Sequence, residues 1–167
     1  MPKTTSFAST SPFNVKDGSV QRLSEVTLTS EFSSLSVPTE STVEGIRVIV
    51  TGYQLGTQTT PPAGQVRISI DENEDWSSYK NINELSFPSS PGAIGDVSYG
   101  SATDLWGKEW TPSDANTISV EFSTTITAYL DAIQVEITYA LPPPPGITIQ
   151  SGLVKLTSGK ICINKPI

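Results

Sequence analysis

Side chains that could perform nucleophilic or acid–base chemistry are not grouped in a catalytic pattern in this sequence. The chain contains no histidine, the commonest general base, so its many serines have no imidazole to activate them. Its single cysteine, Cys162, alternates with Ile161 and Ile163, which is typical of a packed thiol rather than a nucleophile. One cysteine also excludes an intrachain disulfide. We therefore expect a protein that is not an enzyme and that uses no cofactor.

A run of acidic and amide residues from Asp71 to Asp75 (DENED) has a spacing similar to part of a calcium-binding loop. A loop of the EF-hand kind requires glycine at its sixth position and glutamate at its twelfth. This sequence has Trp76 and Ile82 at those positions. The segment therefore favours a solvated turn after a strand, and we expect no metal site.

A second polar and aromatic segment, DLWGKEW, contains two of the three tryptophans. Together with Tyr99, the rings of Trp106 and Trp110 are a candidate platform for stacking on a sugar, with Asp104 and Glu109 as hydrogen-bond acceptors. The alternative is that both indoles cap one end of the core, where an aromatic ring buries about 150–250 Å² of surface. Neither acid shows the features of a glycosidase pair. Capping is the interpretation that the sequence favours.

Composition and charge limit the class of partner. The net charge is −7 and the basic residues are scattered, so no stretch carries the positive charge that binds a phosphate backbone. The longest apolar run, Ile46 to Val50, is interrupted by Arg47 and is too short to cross a bilayer. Residues 1–10 lack the apolar run of a signal peptide. We expect no nucleic-acid binding, no membrane insertion, and a protein that is made and kept in a cytoplasm or leaves it by lysis.

Apolar and polar residues alternate with period two through residues 45–140, which is typical of β-strands that bury one face. The clearest alternation lies in residues 131–140 (DAIQVEITYA). We expect the carboxylate of Asp131 to accept backbone N–H bonds there and to fix the preceding turn. Helical periodicity is nearly absent, so the sequence predicts an all-β fold, an antiparallel β-sandwich with a jelly-roll-like domain. The predicted strands are residues 24–28, 45–54, 65–70, 83–87, 96–100, 117–124 and 131–140.

Polar and proline-rich segments divide the chain into parts. Residues 1–39 begin with a stretch rich in Ser and Thr, so we expect an extended segment without a core of its own. Residues 40–140 are the predicted sandwich domain. Residues 141–146 (LPPPPG) form a polyproline linker of about 3.1 Å per residue, and residues 147–167 follow as a separate extended β arm.

The C-terminal arm contains short apolar segments typical of strands, with a hairpin turn predicted at residues 157–160. A sheet of this size exposes too much apolar and backbone surface to be stable alone. We therefore expect the arm to dock on a partner subunit by strand addition. The residues predicted to make this contact are Ile147, Ile149, Leu153, Leu156, Ile161 and Ile163.

Three motifs within the predicted domain are similar to a known class of proteins. They are TDLWG at residues 103–107, WTPSD at 110–114 and YLDAIQVEITY at 129–139, preceded by the upstream segment 45–80 with SIDENEDWSSYK. The set resembles a β-sandwich module that recurs in virion proteins of tailed bacteriophages, including tail, fibre, neck and decoration components. The resemblance implies a structural protein of a virion, made in a bacterial cytoplasm, that oligomerises through added arms. It implies no catalytic residues.

From these features we expect a phage structural protein whose partners are other virion proteins and further copies of itself, with a trimer as an arrangement common among fibres. The alternative function is a carbohydrate-binding adhesion module that recognises a host surface glycan through Tyr99, Trp106 and Trp110. The two functions differ in the exposure of these rings, because a stacking platform requires open ring faces. The sequence does not distinguish head, neck, baseplate and fibre.

Overall fold

In the computed structural model, the described part of the chain contains nine β-strands and one short helix. Every strand pairing is antiparallel, so the predicted all-β, antiparallel fold is confirmed. Jelly-roll connectivity stays a prediction. The structure describes residues 1–7, 13–33, 35–54, 64–70, 75–81, 88, 93–143, 147–150 and 153–156.

The strands form a large sheet of seven strands and a separate sheet of two. The short helix, α1 (Pro112–Asn116), lies between β6 and β7 and begins with a capping box between Thr111 and Asp114. In chain order the strands are β1 (Lys3–Phe7), β2 (Gln21–Glu31), β3 (Thr42–Gln54), β4 (Gly64–Ser69), β5 (Lys80–Asn81), β6 (Gly95–Gly100), β7 (Ser119–Ala140), β8 (Ile147–Gln150) and β9 (Leu153–Leu156).

Strand β7, which is 22 residues long, is the centre of the large sheet. Residues 128–130 pair with both β2 and β3, and residues 119–124 pair with both β2 and β4, so β2 lies on the edge of β7 opposite to β3 and β4. Strand β1 continues the β2 edge along residues 134–138, while β5 extends β4 and β6 extends β3. The two strands predicted at 117–124 and 131–140 are therefore one continuous strand.

A β-bulge at Asp131 changes which side chains of β7 face the core. Thr51 pairs with Ala132 and the next residue, Gly52, pairs with Leu130, so Asp131 is the extra residue. Because one extra residue reverses the alternation of side chains, both halves of β7 direct apolar residues to the same core. The fully buried members are Val120, Phe122 and Leu130 before the bulge and Ile133, Val135 and Ile137 after it, and Ile118, directly ahead of the strand, is buried with them.

The side chain of Asp131 fixes the connection between β1 and β2. It is only 1% exposed, and it accepts the backbone N–H groups of Asp17 at 3.3 Å and Gly18 at 3.2 Å. Next to them the Lys16 ammonium contacts Asp96 of β6 at 2.8 Å and lowers the pKa of that carboxyl. The predicted role of Asp131 as a backbone acceptor is confirmed, although the segment it holds is far away in sequence.

The N-terminal residues belong to the same sheet and core as the rest of the domain. Strands β1 and β2 pair with β7, and Phe13, Phe32 and Val37 are buried in the single core cluster. The division predicted at residue 40 does not match this pairing. Strands rich in Ser and Thr can be stable here because β7 supplies their backbone partners and most of the apolar surface that they cover.

A tight turn after β6 brings Trp106 onto the end of the core. Gly100 has a φ of +74°, and a Cβ added there would lie 2.5 Å from the carbonyl oxygen of Ile46. The Trp106 indole N–H donates to that same oxygen at 2.8 Å, and Gly107 follows with a φ of +71°. The two glycines therefore differ in the space around them, because no atom lies within 4 Å of a Cβ added at Gly107.

We expect Asp131→Ala to lower the free energy of unfolding by about 2 kcal/mol, because two backbone N–H groups lose a charged acceptor. Urea unfolding followed by circular dichroism measures the change. Glu109→Ala, at an exposed position, is the control and should alter stability by less than about 0.5 kcal/mol. Equal stability of the Asp131→Ala protein and the unchanged protein would show that this anchor is dispensable.

The two glycines of the turn provide a matched pair of substitutions. Gly107→Ala should cost about 1–2 kcal/mol, the conformational cost of a left-handed L-residue alone. Gly100→Ala should cost at least about 2 kcal/mol more, because the new methyl also collides with backbone and with the Trp106 ring. Thermal unfolding of both variants measures the difference, and equal costs would contradict the tight packing described for Gly100.

Candidate functional site

Strands β8 and β9 form a hairpin that pairs with no other described strand. Ile147 lies opposite Leu156, and Ile149 lies opposite Val154, so these four apolar residues share one face of the hairpin. The other face contains Thr148 opposite Lys155 and Gln150 opposite Leu153. The hairpin is therefore amphipathic in its register. Both edges of a two-stranded sheet also have unpaired backbone groups, unless further segments cover them.

Strands β8 and β9 coincide with two of the apolar segments of the C-terminal arm, and their register divides the residues predicted to contact a partner. Because only residues 151 and 152 separate the strands, Leu153 pairs with Gln150 and falls on the mixed face. Val154, which the sequence analysis left out, takes its place beside Ile147, Ile149 and Leu156. The predicted turn at 157–160, with Ile161 and Ile163, lies outside the described residues.

A two-stranded sheet of this size is marginally stable in water when it is alone. Burying one aliphatic side chain contributes about 1.5–3 kcal/mol, so covering the apolar face would supply the missing stability. The hairpin is therefore suited to associate with another surface by burying its apolar face and by pairing its strands. Among the sites proposed from the sequence, the hairpin is the one in which the strand register places four apolar residues together on one face.

The aromatic residues proposed as a sugar platform do not form an open surface. Tyr99 is 3% and Trp106 is 4% exposed, and both belong to the core cluster. Burial raises the pKa of the Tyr99 phenol. Trp110 is partly buried against the same cluster and donates its indole N–H to the Leu105 carbonyl at 2.9 Å. In this conformation Tyr99 and Trp106 cap the core, and they offer no open ring faces for stacking.

The acidic residues singled out from the sequence are distributed over separate contacts. Asp104 accepts the Trp106 backbone N–H at 2.8 Å and pairs with Lys80 at 2.7 Å, which fixes the turn. Asp75 forms an ion pair with Lys108, while residues 71–74 lie outside the described part of the chain. Glu109 is exposed. In the described part of the chain, no group of three or more His, Cys, Asp or Glu residues is arranged to hold a metal ion.

A further polar cluster, which the sequence analysis did not find, lies where β4 pairs with β7. Arg67 and Glu121 are cross-strand partners, joined by two hydrogen bonds of 2.8 and 2.9 Å, and the Tyr79 hydroxyl donates to the same carboxylate. The Arg67 guanidinium lies over the rings of Trp76, at 4.6 Å, and Tyr79, at 4.7 Å. The cluster therefore holds residues 76–79 against the sheet.

Electrostatics within this cluster favour the charged pair. Burial acts to raise the pKa of Glu121, but the hydrogen bonds from Arg67 and Tyr79 outweigh it, and the pKa lies below its ordinary value. Burial and the adjacent carboxylate raise the pKa of Tyr79. Period-two alternation places Arg67 and Glu121 on the polar faces of their strands, but it cannot show that the two strands are neighbours.

We expected no S-x-x-K pattern of the kind found in some acyl-transfer enzymes, and this expectation was wrong, because Ser77 and Lys80 have that spacing. The Ser77 hydroxyl is buried, accepts the Ile68 backbone N–H at 3.1 Å and donates to the Ser78 carbonyl. Lys80 pairs with Asp104 instead. Since the contacts of both residues are structural, the pair belongs to the framework that holds residues 76–79.

Comparison with known proteins does not assign the chain to a family. No protein-family model matches it, and no curated protein matches it. No helix in the described part is long and apolar enough to span a bilayer. The class of this protein is therefore defined by its fold, an all-β antiparallel domain followed by a hairpin with an apolar face.

We expect Glu121→Gln to lower the free energy of unfolding by about 2 kcal/mol at pH 7, because Arg67 loses its charged partner. A carboxyl whose pKa is depressed by folding stabilises the protein above its unfolded pKa, about 4.5, and loses this effect as the pH falls further. The difference between the two proteins should therefore shrink below about pH 4.5. Urea titrations across this range measure it, with Glu31→Gln at an exposed position as the control. A difference independent of pH would contradict the charged pair.

Proposed function

We propose that this protein is a non-enzymatic structural subunit that forms homo-oligomers through its C-terminal hairpin. The observation that carries the proposal is the register of β8 and β9, which gathers Ile147, Ile149, Val154 and Leu156 on one face of a sheet that has no other described strand beside it. Such a face gains stability when another surface covers it.

The particle to which we assign the subunit is a virion of the tailed-phage kind, in its tail, fibre, neck or decoration. Support for this assignment is the resemblance of residues 103–139 and 45–80 to virion β-sandwich modules. In the structure, residues 103–139 contain the turn that places Trp106 on the end of the core, helix α1 and most of the central strand β7. Other virion proteins are the further partners that the proposal implies.

A glycan-binding function has no comparable support. Two of the three rings proposed for it, Tyr99 and Trp106, are in the core, and the third is partly covered. The buried rings are expected to keep their fluorescence unchanged on addition of sugars and to respond only to unfolding.

The solution mass of the full chain and of a hairpin variant tests the proposal. We expect the unchanged protein to be a multimer in light scattering under reducing conditions, where Cys162 cannot cross-link copies. Ile149→Ser combined with Val154→Ser should shift the mass to that of a folded monomer, because it removes apolar area from the face that docks. A chain ending at Ala140 should behave in the same way.

The control is Thr148→Ser combined with Gln150→Ser, which alters the opposite face of β8 and should keep the multimer. A full-length protein that stays monomeric at every concentration would overturn the proposed self-assembly. A multimer that survives in the Ile149→Ser/Val154→Ser variant would show that another surface joins the subunits.

A further inference from the structure

Charge is divided unequally between the domain and the segment that contains the hairpin. All 17 acidic residues and seven of the ten basic residues lie in residues 1–140, which gives this part a side-chain charge of −10. Residues 141–167 contain Lys155, Lys160 and Lys165 and no acid, which gives a charge of +3. The segment that needs a covering surface therefore has the opposite sign to the domain of a second copy, and the two attract each other.

The domain presents a long open edge at β2. This strand of 11 residues forms ladder pairs with β7 alone among the described strands, so about half of its backbone N–H and C=O groups point away from the sheet. The register is interrupted between Ser24 and Val26 and is regular from Val26 to Glu31. The six-residue regular run is long enough to pair with a strand of four residues such as β9.

The other open edges of the sheet suit an added basic strand less well. Strand β6 has its acid, Asp96, already paired with Lys16, and β1 contains Lys3, which is bound to Glu136. Strand β5 is only two residues long. Edge length and charge together therefore favour β2.

The two faces of β2 match the two faces of the hairpin. On the core side Leu28 is only partly buried at the rim of the core, while Thr27, Thr29 and Glu31 are exposed on the other side. A strand added here with Val154 and Leu156 on the core side would continue the apolar layer beside Leu28. Lys155 would then lie on the same side as Glu31.

We propose that β9 of one copy adds to the edge of β2 between Val26 and Glu31 in the domain of a second copy. The inference rests on the proposed function and names the partner surface of the hairpin. The contact is heterologous, since the hairpin of one copy meets a different surface on the next, and it builds a closed ring or a continuing row.

The test places a charge on the edge strands of the full-length protein. Thr29→Lys should weaken association about fivefold, because a positive charge on the β2 edge repels the basic segment. Ser98→Lys makes the same change of charge at an exposed position of the β6 edge, and Thr29→Glu changes the same residue with the opposite sign. We expect Ser98→Lys to leave the dissociation constant within about twofold of the original, and Thr29→Glu to lower it, because a negative charge there attracts the basic segment. Sedimentation equilibrium of each variant, with its thermal unfolding, gives these constants.

The outcomes separate this inference from the function on which it rests. A multimer weakened by Thr29→Lys alone, with unchanged unfolding, supports docking on β2. Equal affinities for all three variants, in a protein whose multimer still depends on Ile149 and Val154, would overturn the β2 site and keep hairpin assembly. A multimer weakened by Ser98→Lys instead would move the site to β6. A monomeric full-length protein would overturn both.

Discussion

The arrangement of the strands depends on how β7, a strand of 22 residues, fits within the domain. A straight strand of this length would extend about 73 Å, whereas a compact domain of about 140 residues has a radius of gyration near 14 Å. Strand β7 must therefore bend and still keep apolar side chains on the inside. The bulge at Asp131 does both, because an extra residue bends a strand and reverses its alternation. On one edge of β7 the partner changes from β2 to β1 at residues 131–133, and on the other edge it changes from β4 to β3 at residues 125–127.

The acidic residues of β7 tie the neighbouring segments to this strand. Glu121 holds Arg67 and the 76–79 segment, and Asp131 holds the connection between β1 and β2. Glu136 lies between Lys3 of β1 at 2.8 Å and Arg47 of β3 at 3.0 Å. Burial acts to raise the pKa of Glu136, but its two cationic partners outweigh this and lower it. Each of these acids therefore has partners of its own: Glu121 and Glu136 are paired with cations, and Asp131 accepts backbone N–H groups.

The sequence predicted the fold class because the strands that line the core alternate strictly, as in residues 131–140. It did not predict that residues 119–140 are one strand, since a bulge reverses the pattern and resembles a turn when only periodicity is considered. The reversal is nevertheless visible, because Phe122 and Leu130 are at even positions and Ile133 is at an odd one. Strands β1 and β2 were assigned to a segment without a core because their own side chains are largely polar, and their stability comes from a partner strand at least 88 residues away. In the hairpin, the alternation identified the strands, whereas the register that separates Leu153 from Val154 required the pairing itself.

The pairing of β1 with the C-terminal end of β7 determines when, during synthesis, β1 can join the sheet. Lys3 pairs with Thr138, so the N-terminal strand has no partner until the ribosome has made nearly all of the domain. Contacts of such long sequence separation are slow to form and leave open strand edges exposed in the meantime. The hairpin at residues 147–156 is synthesised after the last residue of β7. All strands of the large sheet are therefore synthesised before the hairpin, and in the proposed assembly this order makes the docking segment emerge after them.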